Sequence, residues 1–558
     1  MIKNIKKFFL SHNLDGLVVP KNDKYFTEYS NINNLVKVTN FTGSAGFALI
    51  LKNTNYLFVD GRYTLQAKKE CGKNFTVLEI PYTWPKDVYK ISNLKIGFDP
   101  KLFTENTLIK YFANKVRLVP IEYNFKNKIK KKNNNFYYLS DKITGESQIT
   151  KIKKIKKYLK KYKINYLYIS SSENVNWLLN IRGKDLPNSP LANCKLIITD
   201  NNKLFLFTSL KKPKDFNKKI FKNIIFCNDK SFFKVLIKLN KKNFCIDQNT
   251  CSIFDQKVIE SRFNIVSKYD PIYSLKSLKN KIELKHTIKA HIEDGVALTK
   301  FLYWIKFNQK NLTEKIIEKV LEKFRRQSKN YLYPSFDTIA GSGPNGAIIH
   351  YKSNNKSNRK IKKNDILLVD SGGQYNWGTT DVTRTICFGN ATNEIKNNFT
   401  RVLKGHIAVA TCDINKNFNG FLIDKLARKF LNKVGLDYAH GTGHGVGFFL
   451  NVHEGPQAIS KYNFITLKKG MILSNEPGYY LKNQYGIRIE NLIYVDELKQ
   501  NLIFKNLTMA PIDIDLINFK MLSKKERNYL FNYHISVYSK LSKYLNRNEK
   551  KWLIGLIK

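Results

Sequence analysis

The hydrophobic residues of this chain come in short runs, and none reaches the roughly 18 residues that a membrane-spanning helix needs. Over residues 1 to about 140, the runs DGLVVP, GFALILK, NYLFVDGRY and KIGFDP alternate with lysine-rich stretches of helical character. That alternation requires a layered α/β domain, in which each strand is covered by the helices that connect it to the next. A second unit starts near Gly145 and repeats the plan: a basic helix, then INYLYIS, NWLLNIRGKDLPNSP, and KLIITD with KLFLFTS as a hairpin around Asn201 and Asn202. The run KNKIKKKNNN at 126–135 has no apolar stripe and reads as a linker. From Lys276 the pattern changes to a long helix, KNKIELKHTIKAHIEDGVALTKFLYWIKF, and a third domain begins. The expected division is 1–140, 141–275 and 276–497, with a carboxy-terminal extension, 498–558, of amphipathic helices carrying Leu530, Tyr533, Val537, Leu541 and Leu545. The fold class is α/β (α+β).

With 96 basic and 44 acidic residues the formal net charge is +52, an imbalance that raises nucleic acid or an anionic membrane as a partner. Only 13 of the basic residues are arginine, the side chain that reads phosphates and bases bidentately, and the lysines are spread among Asn and Ile along the whole chain. The charge therefore reads as compositional, and neither a specific nucleic acid nor a membrane is expected as partner. In the basic helix at 151–163, Ile152, Ile155, Leu159 and Tyr162 form a core-facing stripe that leaves the lysines solvated. The seven cysteines are odd in number and contain no CxxC pair, which argues for a reducing compartment and against a disulfide framework or a thiolate zinc site. MIKNIKKFFLSHNLDG has only a three-residue apolar stretch before Ser11, so no signal peptide is expected, and the location is read as cytoplasmic.

Chemistry concentrates between 350 and 490. In DILLVDSGGQYNWGTTDVTRTICFG, Asp370 ends one β-rich run and Asp381 opens the next, eleven positions on, so pairing the runs brings both carboxylates to one end of a hairpin. Like charges that close need a cation. HGTGHGVGFFLNVHEGP places His440, His444 and His453 among five glycines. The glycines let the backbone approach closely, and they oppose a helix that would put His440 and His444 on one face, so only one of the two is read as a ligand. Glu476 ends an apolar strand before Pro477, and Glu490 lies in IRIENLIYV, on the same side as Arg488. A carboxylate with such flanks is costly unless paired or metal-bound. Mainly oxygen donors, one imidazole and no thiolate suit Mn2+, with Co2+ or Zn2+ as alternatives, and four carboxylates call for two ions rather than one. That is a hydrolase site.

These residues resemble the metallopeptidase clan of aminopeptidase P, prolidase and methionine aminopeptidase, family M24, and are most similar to the three-domain, cytosolic type of Xaa-Pro aminopeptidase. The resemblance spans nearly the whole chain through TNFTGSAGFALI, FVDGRYTLQA, NWLLNIRGKDLPNSP, GSGPNGAIIHY, DSGGQY, GTTDVTRT, HGTGHGVG, LNVHEGP, NEPGYY, GIRIEN and LTMAPIDIDLI. It implies two creatinase-like amino-terminal α/β domains, a pita-bread catalytic domain, a helical carboxy-terminal extension and a homodimer. It also implies that Asp370, Asp381, His444, Glu476 and Glu490 hold two Mn2+ ions, with Asp381 and Glu490 bridging them and Glu476 taking the proton of the attacking water. His350 and His453 would contact the substrate at the cleaved bond as further catalytic residues, His440 would lie beside the pocket for the following residue, and Arg62 and Arg488 are expected as substrate contacts. Tyr351, Tyr375 and Phe448 are candidates for the walls of the proline pocket and, equally, for the core. The implied activity is release of the first residue from peptides with proline second, with the amino-terminal modules restricting access to a free amino end. A prolidase-like Xaa-Pro dipeptidase and a non-catalytic scaffold with this fold are the alternatives.

Overall fold

The first apolar run becomes the buried strand Gly16–Pro20, paired antiparallel with Phe47–Leu51 and parallel with Lys95–Phe98. This is a computed structural model, and it describes residues 1–557 apart from 29, 31, 89–90, 126–134, 211–221 and 356; the proposed linker falls almost wholly outside the described residues. The strand sits within a six-stranded sheet ordered Thr76–Ile80, Asn55–Asp60, Phe47–Leu51, Gly16–Pro20, Lys95–Phe98, Arg117–Pro120. Because side chains alternate along a strand, Leu17 and Val19 enter one core with Ala48, Ile50, Leu57 and Val59, while Val18 enters a second core with Phe47, Leu49 and Phe58 on the other face. A sheet covered on both faces explains why these runs are continuously apolar rather than alternating.

The second sheet runs Ile224–Asn228, Leu204–Thr208, Lys195–Thr199, Tyr166–Ile169, Asn243–Ile246, Asn264–Ser267. From one edge to the other, both sheets pair parallel, antiparallel, antiparallel, parallel, parallel, so the repetition seen in the sequence is a repetition of topology. The hairpin of Lys195–Thr199 and Leu204–Thr208 turns at Asn202, whose φ of 73° suits an asparagine. The basic helix spans Gln148–Lys161, and one part of its expected stripe is corrected. Ile155 and Leu159 are buried, but Ile152 is only half-buried and Tyr162 is exposed; Lys151 takes the core position instead. Its ammonium lies 3.9 Å from the Trp177 ring centroid and donates to Asn180 Oδ1 at 2.7 Å and the Trp177 carbonyl at 3.0 Å, which satisfies the buried charge.

These two sheets belong to the first of two compact units, Met1–Tyr273; the second is Ser274–Lys558. The second unit runs twice through a helix pair followed by antiparallel strands. Helix Lys281–Phe307 starts with a capping box between Asn280 and Glu283 and is tied to helix Glu314–Arg325 by the buried ion pair Arg325 to Asp294, 2.7 Å. Strands Ile339–Ser342, Ile366–Ser371 and Val382–Cys387 follow as an antiparallel sheet. The second helix pair, Asn393–Ala410 and Gly420–Asn432, leads into a five-stranded sheet centred on Ile472–Asn475. The carboxy-terminal helix Lys524–Leu541 buries Leu530, Tyr533, Val537 and Leu541 in one core with Ile487 and Ile489. The three residues read as pocket wall or core are all buried. Tyr375 is fully buried, edge-on to Tyr331, with its hydroxyl donating to Asp294 at 2.8 Å, and the Tyr351 hydroxyl lies 2.7 Å from Glu314. Phe448 is buried as well, with its ring 6.5 Å from that of His286. All seven cysteines are free thiols, and no helix among the described residues is long and apolar enough to cross a membrane.

Candidate metal centre

The hairpin of Ile366–Ser371 and Val382–Cys387 pairs Asp370 with Thr383, so Asp381, one residue before its strand, lands at the same end. Glu490 lies in the break between strands Tyr485–Arg488 and Asn491–Leu498, rather than within a single strand. Thr383 fixes it twice: its carbonyl accepts the Glu490 N–H at 3.1 Å and its hydroxyl donates to Glu490 Oε2 at 2.9 Å. Glu476 follows strand Ile472–Asn475, and its N–H donates to the Thr442 carbonyl at 2.8 Å. Ser474 joins His444 and Glu476, accepting the His444 N–H at 2.9 Å and donating to Glu476 Oε1 at 3.2 Å. This approach requires a glycine beside His444, since a Cβ on Gly443 would stand 1.9 Å from the Ser474 carbonyl oxygen.

His444 faces this acidic cluster in the form a metal needs. Its Nδ1 lies 2.9 Å from the Gly445 carbonyl, which can only accept, so in the neutral ring the lone pair is on Nε2, 3.4 Å from Asp381 Oδ2 and 3.7 Å from Glu476 Oε1. Ligand atoms of Asp381, His444 and Glu490 all lie within 4.8 Å of one another. Asp370, Asp381 and Glu490 form a buried floor, and His444 and Glu476 are half-buried. Burial, and then the charges of Asp370 and Glu476, hold the Asp381 carboxyl well above its usual range; burial, and then Asp381, Glu476 and Asp370, do the same to Glu490. The Arg488 guanidinium is the cation in contact with them, 2.6 Å from Asp370 Oδ2, and the buried Asp370 Oδ1 has no hydrogen-bond partner. One guanidinium against four carboxylates and a lone pair turned inward is a donor set that fits divalent cations.

The remaining expected residues divide. The His453 ring stands at 83° to that of His444 with centroids 4.3 Å apart. The next residue, Glu454, is held by Lys276 at 3.1 Å and by Lys279, all three buried. His440 meets Tyr480: its Nδ1 faces the Gly441 carbonyl at 2.7 Å, and its Nε2 lies 2.9 Å from the Tyr480 hydroxyl. Arg488 donates to that same hydroxyl at 2.5 Å and to Thr383 Oγ1 at 3.1 Å. Expected as a substrate contact, Arg488 is 1% exposed and spends its donors on Asp370, Thr383 and Tyr480, which makes it an internal counter-ion of Asp370. His350 is half-buried in the segment after strand Ile339–Ser342. Arg62 lies in the first unit, in a bidentate pair with Asp60 at 2.8 Å for each bond. Arg384 was not singled out from the sequence, yet it donates to the Glu490 carbonyl at 2.6 Å, to Asn491 Oδ1 at 2.8 Å and to the Ala510 and Pro511 carbonyls. A buried arginine between two threonines of a strand was its only signal.

A buried carboxylate cluster completed by one imidazole defines a metal-dependent hydrolase. The profile of metallopeptidase family M24 matches residues 285–497, those of the creatinase/prolidase N-terminal domain match 1–126 and 127–283, and that of the C-terminal region of peptidase M24 matches 500–556. A probable Xaa-Pro aminopeptidase P of Laccaria bicolor is 36% identical over 99% of this chain and 92% of its own length. Xaa-Pro aminopeptidase 1 of Dictyostelium discoideum is 34% identical over 100% and 96%. The crystal structure of a cytosolic X-prolyl aminopeptidase from Caenorhabditis elegans, with a di-nuclear active site, superposes with a TM-score of 0.91 at 29% identity, over 98% of this chain and 95% of that one. A prolidase from Thermococcus sibiricus gives 0.54 at 25% identity, over 66% of this chain and 98% of that one. The chain belongs to metallopeptidase family M24, in the group with two creatinase/prolidase N-terminal domains and a C-terminal region.

Proposed function

We infer that this protein is a metallo-exopeptidase that releases the first residue from peptides with proline in second position. The observation that carries the reading is a complete set of four carboxylates and an imidazole, in a chain that matches Xaa-Pro aminopeptidases along nearly its full length. Prolidase likeness covers only 66% of the chain, which favours the aminopeptidase over the dipeptidase. Asp370, Asp381, His444, Glu476 and Glu490 would hold two divalent ions, and the oxygen-rich donor set favours manganese over cobalt or zinc. The chemistry such ions supply when bound is polarisation of a carbonyl and acidification of a water near neutral pH.

The chain's own residues account for the rest. Glu476, half-buried and bonded by Ser474, has a carboxylate oxygen placed to take a proton from an attacking water. His453 beside His444, and His350, are the imidazoles assigned to hydrogen-bond the oxyanion or protonate the departing proline nitrogen. Arg488 holds Asp370 in place through the 2.6 Å contact with Oδ2. A dedicated enzyme is required because an Xaa-Pro bond is a tertiary amide without an N–H, which peptidases that grip an extended backbone cannot hold. Free thiols throughout agree with a cytosolic location.

The test is release of the first residue from Arg-Pro-Pro by metal-stripped protein, then with added Mn2+, for the wild type and Asp381→Ala, with Arg-Pro alongside. Metal-dependent cleavage of the tripeptide, absent in the variant, is the expected result. Cleavage of Arg-Pro alone would favour the dipeptidase, and no cleavage of either by folded, metal-loaded protein would end the reading.

A further inference from the structure

The second unit holds a buried carboxylate that the proposed reaction does not use. Glu314, in the first turn of helix Glu314–Arg325, is 0% exposed and forms no ion pair with a lysine or arginine side chain among the described residues. Instead it gathers donors from a long stretch of chain. Oε1 accepts the Ser342 N–H at 2.8 Å, Oε2 accepts the Arg359 N–H at 2.9 Å, and Asn345 Nδ2 lies 3.0 and 3.1 Å from the two oxygens. The Tyr351 hydroxyl stands 2.7 Å from Oε2 and 2.6 Å from the Ser357 carbonyl. One turn along the helix, Glu318 accepts the Ser353 hydroxyl at 2.7 Å. Together the two carboxylates grip the segment that carries His350 on both sides of it.

The segment also lies against the strand that carries Arg488. A Cβ on Gly486 would stand 1.8 Å from the Gly346 carbonyl oxygen, so the segment lies directly on strand Tyr485–Arg488, which ends in the partner of Asp370. Tyr351 packs in one cluster with Tyr480, whose hydroxyl meets both Arg488 and His440. The Ile349 carbonyl, one residue before His350, is 3.5 Å from an Arg488 nitrogen. The backbone around His350 is thus fixed by helix Glu314–Arg325 on one side and by the site strand on the other.

We propose that Glu314 is the positioning residue for His350: its buried carboxylate holds Ser342, Asn345, Tyr351 and Arg359 so that the imidazole keeps its place at the scissile bond. The inference rests on the assignment of His350 as a catalytic contact. A carboxylate is required because every neighbour donates; an amide in its place would turn an N–H toward other N–H groups and leave buried donors unpaired. A group that works through His350 acts on the transition state, so its loss lowers kcat and leaves KM largely as it was.

The test is a double-mutant cycle on the manganese-loaded enzyme, using Arg-Pro-Pro, with metal content and thermal unfolding recorded for each variant. Glu314→Gln should lower kcat about 10- to 100-fold with KM within about 3-fold, Glu314→Asp should recover part of the loss, and Tyr351→Phe, which leaves the carboxylate in place, should show a smaller fall. In a His350→Ala background, Glu314→Gln and Tyr351→Phe should each change kcat by less than about 2-fold. If the losses multiply, or if kcat is unchanged in Glu314→Gln and Tyr351→Phe while His350→Ala is impaired, Glu314 is a structural anchor only and the proposal is wrong. If His350→Ala itself is fully active, the assignment of His350 falls and takes the proposal with it.

Discussion

Arg488 determines how Asp370 enters the site. Both are buried, the guanidinium is 2.6 Å from the carboxylate, and its other nitrogens meet Thr383 and Tyr480. Removing one member of a buried ion pair leaves the other charge without compensation, at a cost of about 3 to 5 kcal/mol. Arg488→Met should therefore lower the stability of the metal-free protein by about that amount in urea unfolding with a chelator, and lower kcat/KM by about 100-fold or more. Arg488→Lys keeps the charge but lacks the planar fork that reaches three partners, and should fall between the two. A methionine variant as stable and active as the wild type would show that Asp370 needs no counter-ion. The sequence placed Arg488 and Glu490 on one side of a strand but could not say what Arg488 touched, since its partner lies 118 positions away.

At the scale of elements, the helix Lys524–Leu541 ties the carboxy-terminal region to the site. Tyr533 meets Arg384 at 3.0 Å, and Arg384 in turn holds the Glu490 carbonyl. Beside it His534 accepts the Ile512 N–H through Nε2 at 3.1 Å, which only a neutral imidazole can do; burial, opposed by backbone bonding and helped by Arg384, pushes its pKa down to about 4. The unfolded chain takes up this proton near pH 6.5 and the folded chain does not until about pH 4, so the contribution of His534 is complete above pH 6.5 and is lost as pH falls between those values. His534→Gln should flatten the decline in urea stability from pH 7 to 4.5 by about one proton's worth of slope relative to the wild type. An unchanged slope would mean that the helix is not anchored through this ring. Elements of this kind were legible in the sequence as to type and place, because periodicity is a local property: the two α/β modules, the hairpin between Asp370 and Asp381, and the apolar stripe of Lys524–Leu541 all follow from spacing. The five residues proposed as ligands were legible as candidates because carboxylates beside apolar strand residues have few other uses. Arg384, Glu314 and Lys151 were not, since each is explained by partners remote in sequence, and the partners of Tyr351 and Tyr375 were hidden for the same reason.

At the scale of the whole molecule, the net charge of +52 is distributed by a rule that the partition of arginine and lysine exposes. Five of the 13 arginines are buried, at 182, 325, 384, 428 and 488, against four buried lysines, at 21, 151, 276 and 279, among the described residues. Lysines number 96 − 13 = 83, so arginine persists where several acceptors must be met at once, and lysine has taken the solvated positions. Arg428 shows why: it bonds Asp424, Asp437 and the carbonyls of Tyr438 and His440, a pattern an ammonium cannot span. Arg428→Lys should cost about 1 to 3 kcal/mol, whereas the same change at the exposed Arg547 should stay within about 0.5 kcal/mol. The surface lysines then act together rather than in pairs. Exposed like charges repel over a distance set by salt, about 30 Å at 0.01 M and about 8 Å at 0.15 M ionic strength, and the folded state brings them closer than the unfolded chain does. The thermal midpoint should accordingly rise by several degrees between about 10 and 300 mM sodium chloride. Exposed ion pairs such as Lys101 with Glu122 or Lys469 with Glu497 pull the other way but are worth little each. Scanning calorimetry of the chain in the two salts decides between them: a midpoint that stays level or falls would mean that local pairing, and not the net charge, sets the electrostatics of this surface.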